Sequence, residues 1–243
     1  MAFHLLSNRF TRQTCPKLIK IRDVLVIFID ITNSQALIKA LGECVAYANT
    51  FYLFKRLQTS AVCFGLYTLK TNGDQIVLVS HNCYTATSPF RDNYEKATAA
   101  FSFAHHAHSV AYEIAQESTS DIKLRIGIAQ GNAFLSNAGP HLQHGDIWGK
   151  TINKAAMLEQ YTVPGSTALC TTAFNYLPKA CKDVCSNHTF NTKSGGLDAK
   201  VVVDAALTFI DTKLRAFNNK FSPPFSSLAA ITRAQGGKPR PFH

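Results

Sequence analysis

Residues 24–31 (VLVIFIDI) form a run of mostly branched apolar side chains in which Asp30 is the one polar position. A short, branched, apolar run predicts a buried strand. Ser34 is placed to cap a helix reaching about residue 57, with Leu37, Leu41 and Val45 on one face. Residues 61–69 predict a second strand. Thr71-Asn72-Gly73-Asp74 predicts a tight turn and residues 75–80 a returning strand, together a hairpin. Residues 94–117 are alanine-rich and helix-like, and 123–129 predict another strand ending near Gly131. A glycine-punctuated stretch from Gly145 to Gly149 leads into a helix over 150–161, which Pro164-Gly165 stops. Short strands are predicted at 167–170, near 188–192 and near 201–205. The order strand–helix–strand–strand–helix–strand is a split βαβ pattern of the ferredoxin-like kind. It predicts an α+β fold, with an antiparallel-containing sheet and helices on one face. Residues 1–21 are a basic N-terminal extension, 22–206 the folded domain and 207–243 a C-terminal extension, whose prolines and glycines predict an extended arm.

Composition narrows the class. Of 243 residues, 46% are hydrophobic and 16% charged, enough apolar material for a core and too little charge for a disordered chain. No apolar run approaches the ~20 residues that span a bilayer, and the N-terminus lacks the apolar core of a signal peptide. A cytoplasmic protein with no membrane partner is expected. The seven cysteines are odd in number and irregular in spacing, which predicts reduced thiols. Cys181, Cys185 and His188 lack the spacing of a zinc knuckle and read as ordinary residues. His105, His106 and His108 read as part of a surface helix. The formal net charge of +10 favours an anionic partner. The basic residues are scattered rather than interleaved with aromatics, so no nucleic-acid partner is expected.

Two aspartates carry the candidate chemistry. Asp30 closes the buried strand, and Asp74 lies in the hairpin turn. A charge at the end of a buried strand is costly unless it is paired or metal-bound. Two carboxylates on adjacent strands suit a pair of divalent ions for phosphoryl transfer. They equally suit two strand-end aspartates satisfied by turn amides, and the two residues alone leave both readings open. Thr32, Asn33, Ser34 and Gln35 lead into a helix start, whose backbone N–H groups can cradle phosphate oxygens. Arg125, on a predicted strand, is either a bidentate phosphate clamp or a strand-edge charge.

Four motifs, in order and at compatible spacings, resemble those of class III adenylyl and guanylyl cyclases. Phe28-Ile29-Asp30-Ile31 resembles the family's first metal motif, and Lys70-Thr71-Asn72-Gly73-Asp74 its hairpin motif with the second metal aspartate. Leu124-Arg125-Ile126-Gly127-Ile128, followed by Gly131, is similar to its phosphate-arginine strand. The segment from Asp146 to Asn153, DIWGKTIN, is similar to its base- and ribose-contacting segment. Pro164-Gly165 falls where the family has its own break. The resemblance implies a cyclase homology domain that turns a nucleoside triphosphate into a 3′,5′-cyclic nucleotide and pyrophosphate. It implies that Asp30, Asp74 and the carbonyl of Ile31 hold two Mg²⁺ or Mn²⁺ ions and that Arg125 binds the polyphosphate, to which the helix start at Asn33 and Ser34 adds its backbone N–H groups. Lys70 and Asp146 would contact the base edge, and Asn153 the ribose. The family's active sites are shared across a head-to-tail dimer, so Lys70, Asp146 and Asn153 would serve the partner's site. One position departs. Four residues after Asn153 the family carries a transition-state arginine, and here stands Met157; Lys154, a few residues away, would stand in for it. Losing such a charge costs on the order of 10²–10³ in rate, so a weakly active or merely nucleotide-binding relative is the alternative to an enzyme.

A lysine donor beside an aspartate acceptor matches uracil, cytosine or adenine, and does not exclude guanine. The domain most resembles the stand-alone bacterial pyrimidine cyclases of the Pycsar anti-phage system. That resemblance implies cyclic UMP or cyclic CMP, used as an antiviral messenger for a separate effector, with adenylate cyclase as the alternative. A diguanylate cyclase would need a glycine-glycine-acidic hairpin, which Asn72-Gly73-Asp74 lacks.

Overall fold

A computed structural model of the chain describes residues 18–83, 85–118, 120–136, 146–193 and 195–203. The C-terminal extension at 207–243 lies outside the described residues, as do residues 1–17 of the N-terminal extension. Residues 18–21, expected in that extension, are instead the start of the first strand, where Ile21 is buried.

The elements run β1 (Leu18–Ile31), α1 (Ser34–Leu41), α2 (Glu43–Cys63), β2 (Tyr67–Asn72), β3 (Gln75–Val79), α3 (Asn93–Ser118), β4 (Leu124–Ser136), β5 (Asp146–Trp148), α4 (Lys150–Tyr161), β6 (Ser166–Leu169), α5 (Thr171–Asn175), α6 (Lys179–Lys182), β7 (Ser186–Thr192) and β8 (Gly195–Val203). They form one mixed sheet in the order β2-β3-β1-β4-β6-β8-β7, with β5 added to the far end of β4. Among the described residues no helix is long and apolar enough to cross a membrane.

The central pair is β1 and β4, antiparallel from Leu18↔Ser136 to Ile31↔Leu124. A bulge interrupts it between Ile21 and Val24, where Asp23 adopts a left-handed backbone at φ 51°. The buried Lys96 of α3 donates its Nζ to the Asp23 carbonyl at 2.6 Å, which satisfies a group that the bulge takes out of the ladder. Beside β4, β6 runs parallel, and the crossover between them contains α4.

The two faces of the sheet are dressed differently. On β4, Leu124, Ile126, Ile128 and Gln130 point one way, toward α3, whose Asn93 accepts from Gln130 at 2.8 Å. Arg125, Gly127, Ala129 and Gly131 point the other way, toward α4. A Cβ on Gly127 would sit 2.2 Å from the Ala155 carbonyl and 2.3 Å from the Glu159 nitrogen. A Cβ on Gly131 would meet Thr151 Oγ1 at 2.8 Å. The missing side chains let α4 lie directly on the strand. Helices therefore occupy both faces, against the expected single face.

Other differences have local causes. The expected helix over 34–57 is two helices, broken at Gly42 (φ 78°), and Val45 beyond the break is exposed. The strand expected at 61–69 is half helix. Gly65 takes φ 71°, its N–H reaches the Val62 carbonyl, and the Leu66 N–H reaches the Ala61 carbonyl at 2.9 Å. This paired closure ends α2 at a glycine and lets β2 begin only at Tyr67. The strand expected to end near Gly131 continues to Ser136 because β5 and the start of β1 give it partners.

The surface-helix expectation for the three histidines is overturned. Alanines at 97, 100, 104, 107 and 111 let α3 press onto the sheet along most of its length. His108 is only 3% exposed and shares a hydrogen bond with Thr167 Oγ1 at 3.1 Å; His106 shares one with Ser60 at 2.9 Å. Cys181 is buried, and the Cys185 thiol donates to its carbonyl at 3.2 Å, so both act as packing residues.

Candidate active site

The α4 face carries a polar row across four strands. Register aligns Gln75 of β3 with Asp30 of β1, Asp30 with Arg125 of β4, and Arg125 with Ser166 of β6. Neighbours in register share a face, so these side chains meet. Arg125 Nη2 donates to Asp30 Oδ2 at 2.6 Å. Because α4 lies so close on Gly127, Glu159 is brought over this row. Its Oε1 is 3.1 Å from Arg125 Nε, in ion-pair contact but poorly aligned for a hydrogen bond, and its Oε2 accepts from Gln75 Nε2 at 3.3 Å. Asp74 closes the turn beside them, its carbonyl accepting from the Ile31 N–H at 3.1 Å.

Two carboxylates thus flank one guanidinium, with the charge of Asp74 near enough to act on both. Burial raises the Asp30 pKa above the ordinary aspartate value; the hydrogen bond from Arg125 opposes this, and the charge of Asp74 adds to it. Glu159, 4% exposed, is pushed up to about 7, first by burial and then by Asp30. An excess of buried negative charge held by hard oxygen donors suits Mg²⁺ or Mn²⁺ rather than a soft metal. Among the described residues no three His, Cys, Asp or Glu side chains form a closed metal cage. Ions of the Mg²⁺ type are commonly held by one or two carboxylates together with substrate phosphates. Asn33 precedes α1 in the left-handed conformation (φ 57°, ψ 33°), and Ser34 opens that helix directly after the Asp30 strand. The first backbone N–H groups of a helix have no partner within it and suit anions.

A second group lies elsewhere on the same chain. Lys70 Nζ of β2 is 3.2 Å from Asp146 Oδ2 and 3.3 Å from Oδ1. The Ile147 N–H donates to Asp146 Oδ1 at 2.9 Å and fixes the carboxylate. Cys83 stands close enough that its thiol, pushed up to about 11 mainly by burial, also feels Asp146. On α4, Thr151, Ala155 and Glu159 are buried, whereas Asn153 and Lys154 are exposed. Met157 is half-buried against the core. Among the described contacts, neither Asn153 nor Lys154 joins the Asp30 group.

The sequence of residues 18–205 matches the profile of the adenylate and guanylate cyclase catalytic domain. The chain belongs to that family. The fold agrees. A rhodopsin-guanylyl cyclase catalytic core with converted specificity, solved with ATPαS, superposes with a TM-score of 0.62 at 20% identity, over 77% of this chain and 98% of that one. The adenylyl cyclase CyaB from P. aeruginosa gives 0.64 at 18% identity, over 76% and 96%. The guanylate cyclase domain of RhGC from Catenaria anguillulae, solved with GTP, gives 0.63 at 19% identity, over 76% and 98%. No curated protein matches the chain. Catalysis in this family uses divalent metal ions, which is the chemistry the oxygen-donor set of this cyclase domain suits.

Two residues of the cyclase domain escape the sequence reading. Glu159 looks like an ordinary helix charge, yet it falls four residues after Ala155, the residue that also touches Gly127. The two glycines four apart on β4 were the available signal. Cys83 carried no signal at all.

Proposed function

We propose that this cyclase domain forms a 3′,5′-cyclic nucleotide and pyrophosphate as a head-to-tail homodimer. The observation that carries the reading is the division of polar groups into two sets: Asp30, Asp74, Arg125 and Glu159 in one, Lys70 and Asp146 in the other, with Asn153 exposed on α4. Asp30, Asp74 and the Ile31 carbonyl hold two divalent ions, with Mn²⁺ preferred. Bound ions supply Lewis-acid activation of the attacking 3′-hydroxyl and neutralise charge on the triphosphate. Arg125 and the N–H groups at Asn33 and Ser34 hold the polyphosphate. The partner chain presents Lys70 and Asp146 to the base and Asn153 to the ribose, and Lys154 stands in for the absent arginine.

The substrate we propose is a pyrimidine nucleotide, UTP before CTP, and the cyclic product acts on a separate effector in antiviral defence. Lys70 and Asp146 present one donor beside one acceptor, 3.2 Å apart, which complements the carbonyl and ring N–H of uracil. Adenine offers a matching edge and is the second reading. Incubating the protein with all four ribonucleotides and Mn²⁺ and identifying the cyclic product by mass tests both. Cyclic UMP is the expected product; dominant cyclic AMP replaces the pyrimidine reading, and no cyclic product from any nucleotide overturns the cyclase. Mixing Asp74→Asn chains with Asn153→Ala chains tests the shared site, with turnover restored in the heterodimer as the expected result.

A further inference from the structure

We propose that Glu159 is a positioning residue, which keeps Arg125 in place once a metal ion takes over Asp30. This rests on the reading of Asp30 as a metal ligand and Arg125 as a phosphate ligand. Arg125 has two carboxylate partners on different parts of its guanidinium: Asp30 at Nη2 (2.6 Å) and Glu159 at Nε (3.1 Å). A carboxylate bound to a divalent ion is no longer available as the strong partner of an arginine. Asp30 therefore cannot hold the guanidinium in the loaded state. Glu159 can. It lies on a different element, its second oxygen is occupied by Gln75 at 3.3 Å, and its backbone rests on Gly127 with no room for a Cβ. The path Gln75–Glu159–Arg125 fixes Nε from behind. Nη2, paired with Asp30, is then turned over to a phosphate oxygen without the side chain leaving its place. Pre-ordering of this kind lowers the entropy cost of binding.

The test is calorimetric binding of Mg²⁺-pyrophosphate to the full chain, which needs no turnover. Wild type, Glu159→Gln, Arg125→Ala and the double variant form a cycle. Glu159→Gln is expected to weaken binding about fivefold, the scale of one ion-pair contact. The double variant is expected to bind no more weakly than Arg125→Ala, because Glu159 acts through Arg125. Tighter binding by Glu159→Gln, the outcome if Glu159 merely adds negative charge, overturns the proposal; so do additive losses or unchanged affinity. If Glu159→Gln melts early, Gln75→Leu replaces it in the cycle, with a smaller loss of the same sign that vanishes in the Arg125→Ala background. Binding by the parent that does not depend on Arg125 also overturns the proposal. A parent that binds through Arg125 but makes no cyclic product leaves it standing and sinks the cyclase reading instead.

Discussion

The two faces of β4 solve opposite problems with the same alternation. On the α3 face, Ile126 and Ile128 are fully buried, Gln130, Thr167 and His108 supply neutral polar groups, and the buried cation Lys96 is satisfied by the Asp23 carbonyl and Asn93. On the α4 face, one residue out of phase, stand Arg125 and two glycines, with carboxylates arriving from β1 and α4. The first face stores stability. The second gives some of it up, because it holds Asp30 and Glu159 against one guanidinium, with the charge of Asp74 adding to theirs, in a half-buried space. The site is the back of the core, made from the alternate residues of the same strand.

The largest expected break in this symmetry is Asp30→Asn. Turnover with Mn²⁺ should fall by roughly 10³-fold or more, the several kcal/mol a metal centre supplies, while the melting temperature holds. Full activity in that variant would remove the two-metal reading.

The faces should also respond to pH with opposite sign. On the α3 side, burial holds His108 at about 3, and His81, at the end of β3, at about 4, both below the ordinary histidine value of 6.5. A group whose folded pKa is depressed contributes fully above the unfolded value and loses stability as pH falls toward the folded one. Metal-free protein should therefore lose on the order of 5 kcal/mol between pH 7 and 4 from these two residues. Urea melts measure this, and His108→Asn should flatten the slope. Glu159 is raised from 4.5 to about 7, so its contribution is complete below pH 4.5 and lost as pH rises through 7. Glu159→Gln should raise the melting temperature at pH 8 more than at pH 5.

Ile128→Ala, on the apolar face, should cost about 3 kcal/mol of stability by leaving a cavity, with the residual folded protein keeping its turnover per molecule. A proportionate loss of kcat would mean that the two faces are not separable. The smallest effect expected is from Met157→Arg, which should raise kcat about tenfold at unchanged KM if the missing charge limits the rate. A fall would show that Lys154 or another group already fills that space.

Much of this architecture was legible in sequence. The β1 run, the hairpin and α4 stand out because each is local: a branched apolar run, a glycine turn, a helix between Gly149 and Pro164. Asp30, Asp74 and Arg125 could be named, but not joined, since only cross-strand register brings Asp30 to Arg125. The face of α4 was not legible, because it depends on two absent side chains at Gly127 and Gly131. Nor was the burial of His108, in which small alanines admit a polar residue to the core.

The register that joins Asp30 to Arg125 also dates the site in the life of the chain. The two residues are 95 positions apart, and Gln75 and Glu159 are 84 apart. Contacts of such separation close late, after the local β2–β3 hairpin, which needs only microseconds. During synthesis Asp30, Lys70 and Asp74 emerge long before α4. Until Glu159 has left the ribosome, the growing chain carries Asp30 and Asp74 but not the complete set of contacts that orders Arg125. Affinity for metal-bound phosphate should therefore arise in refolding as one of the last signals, after secondary structure has formed.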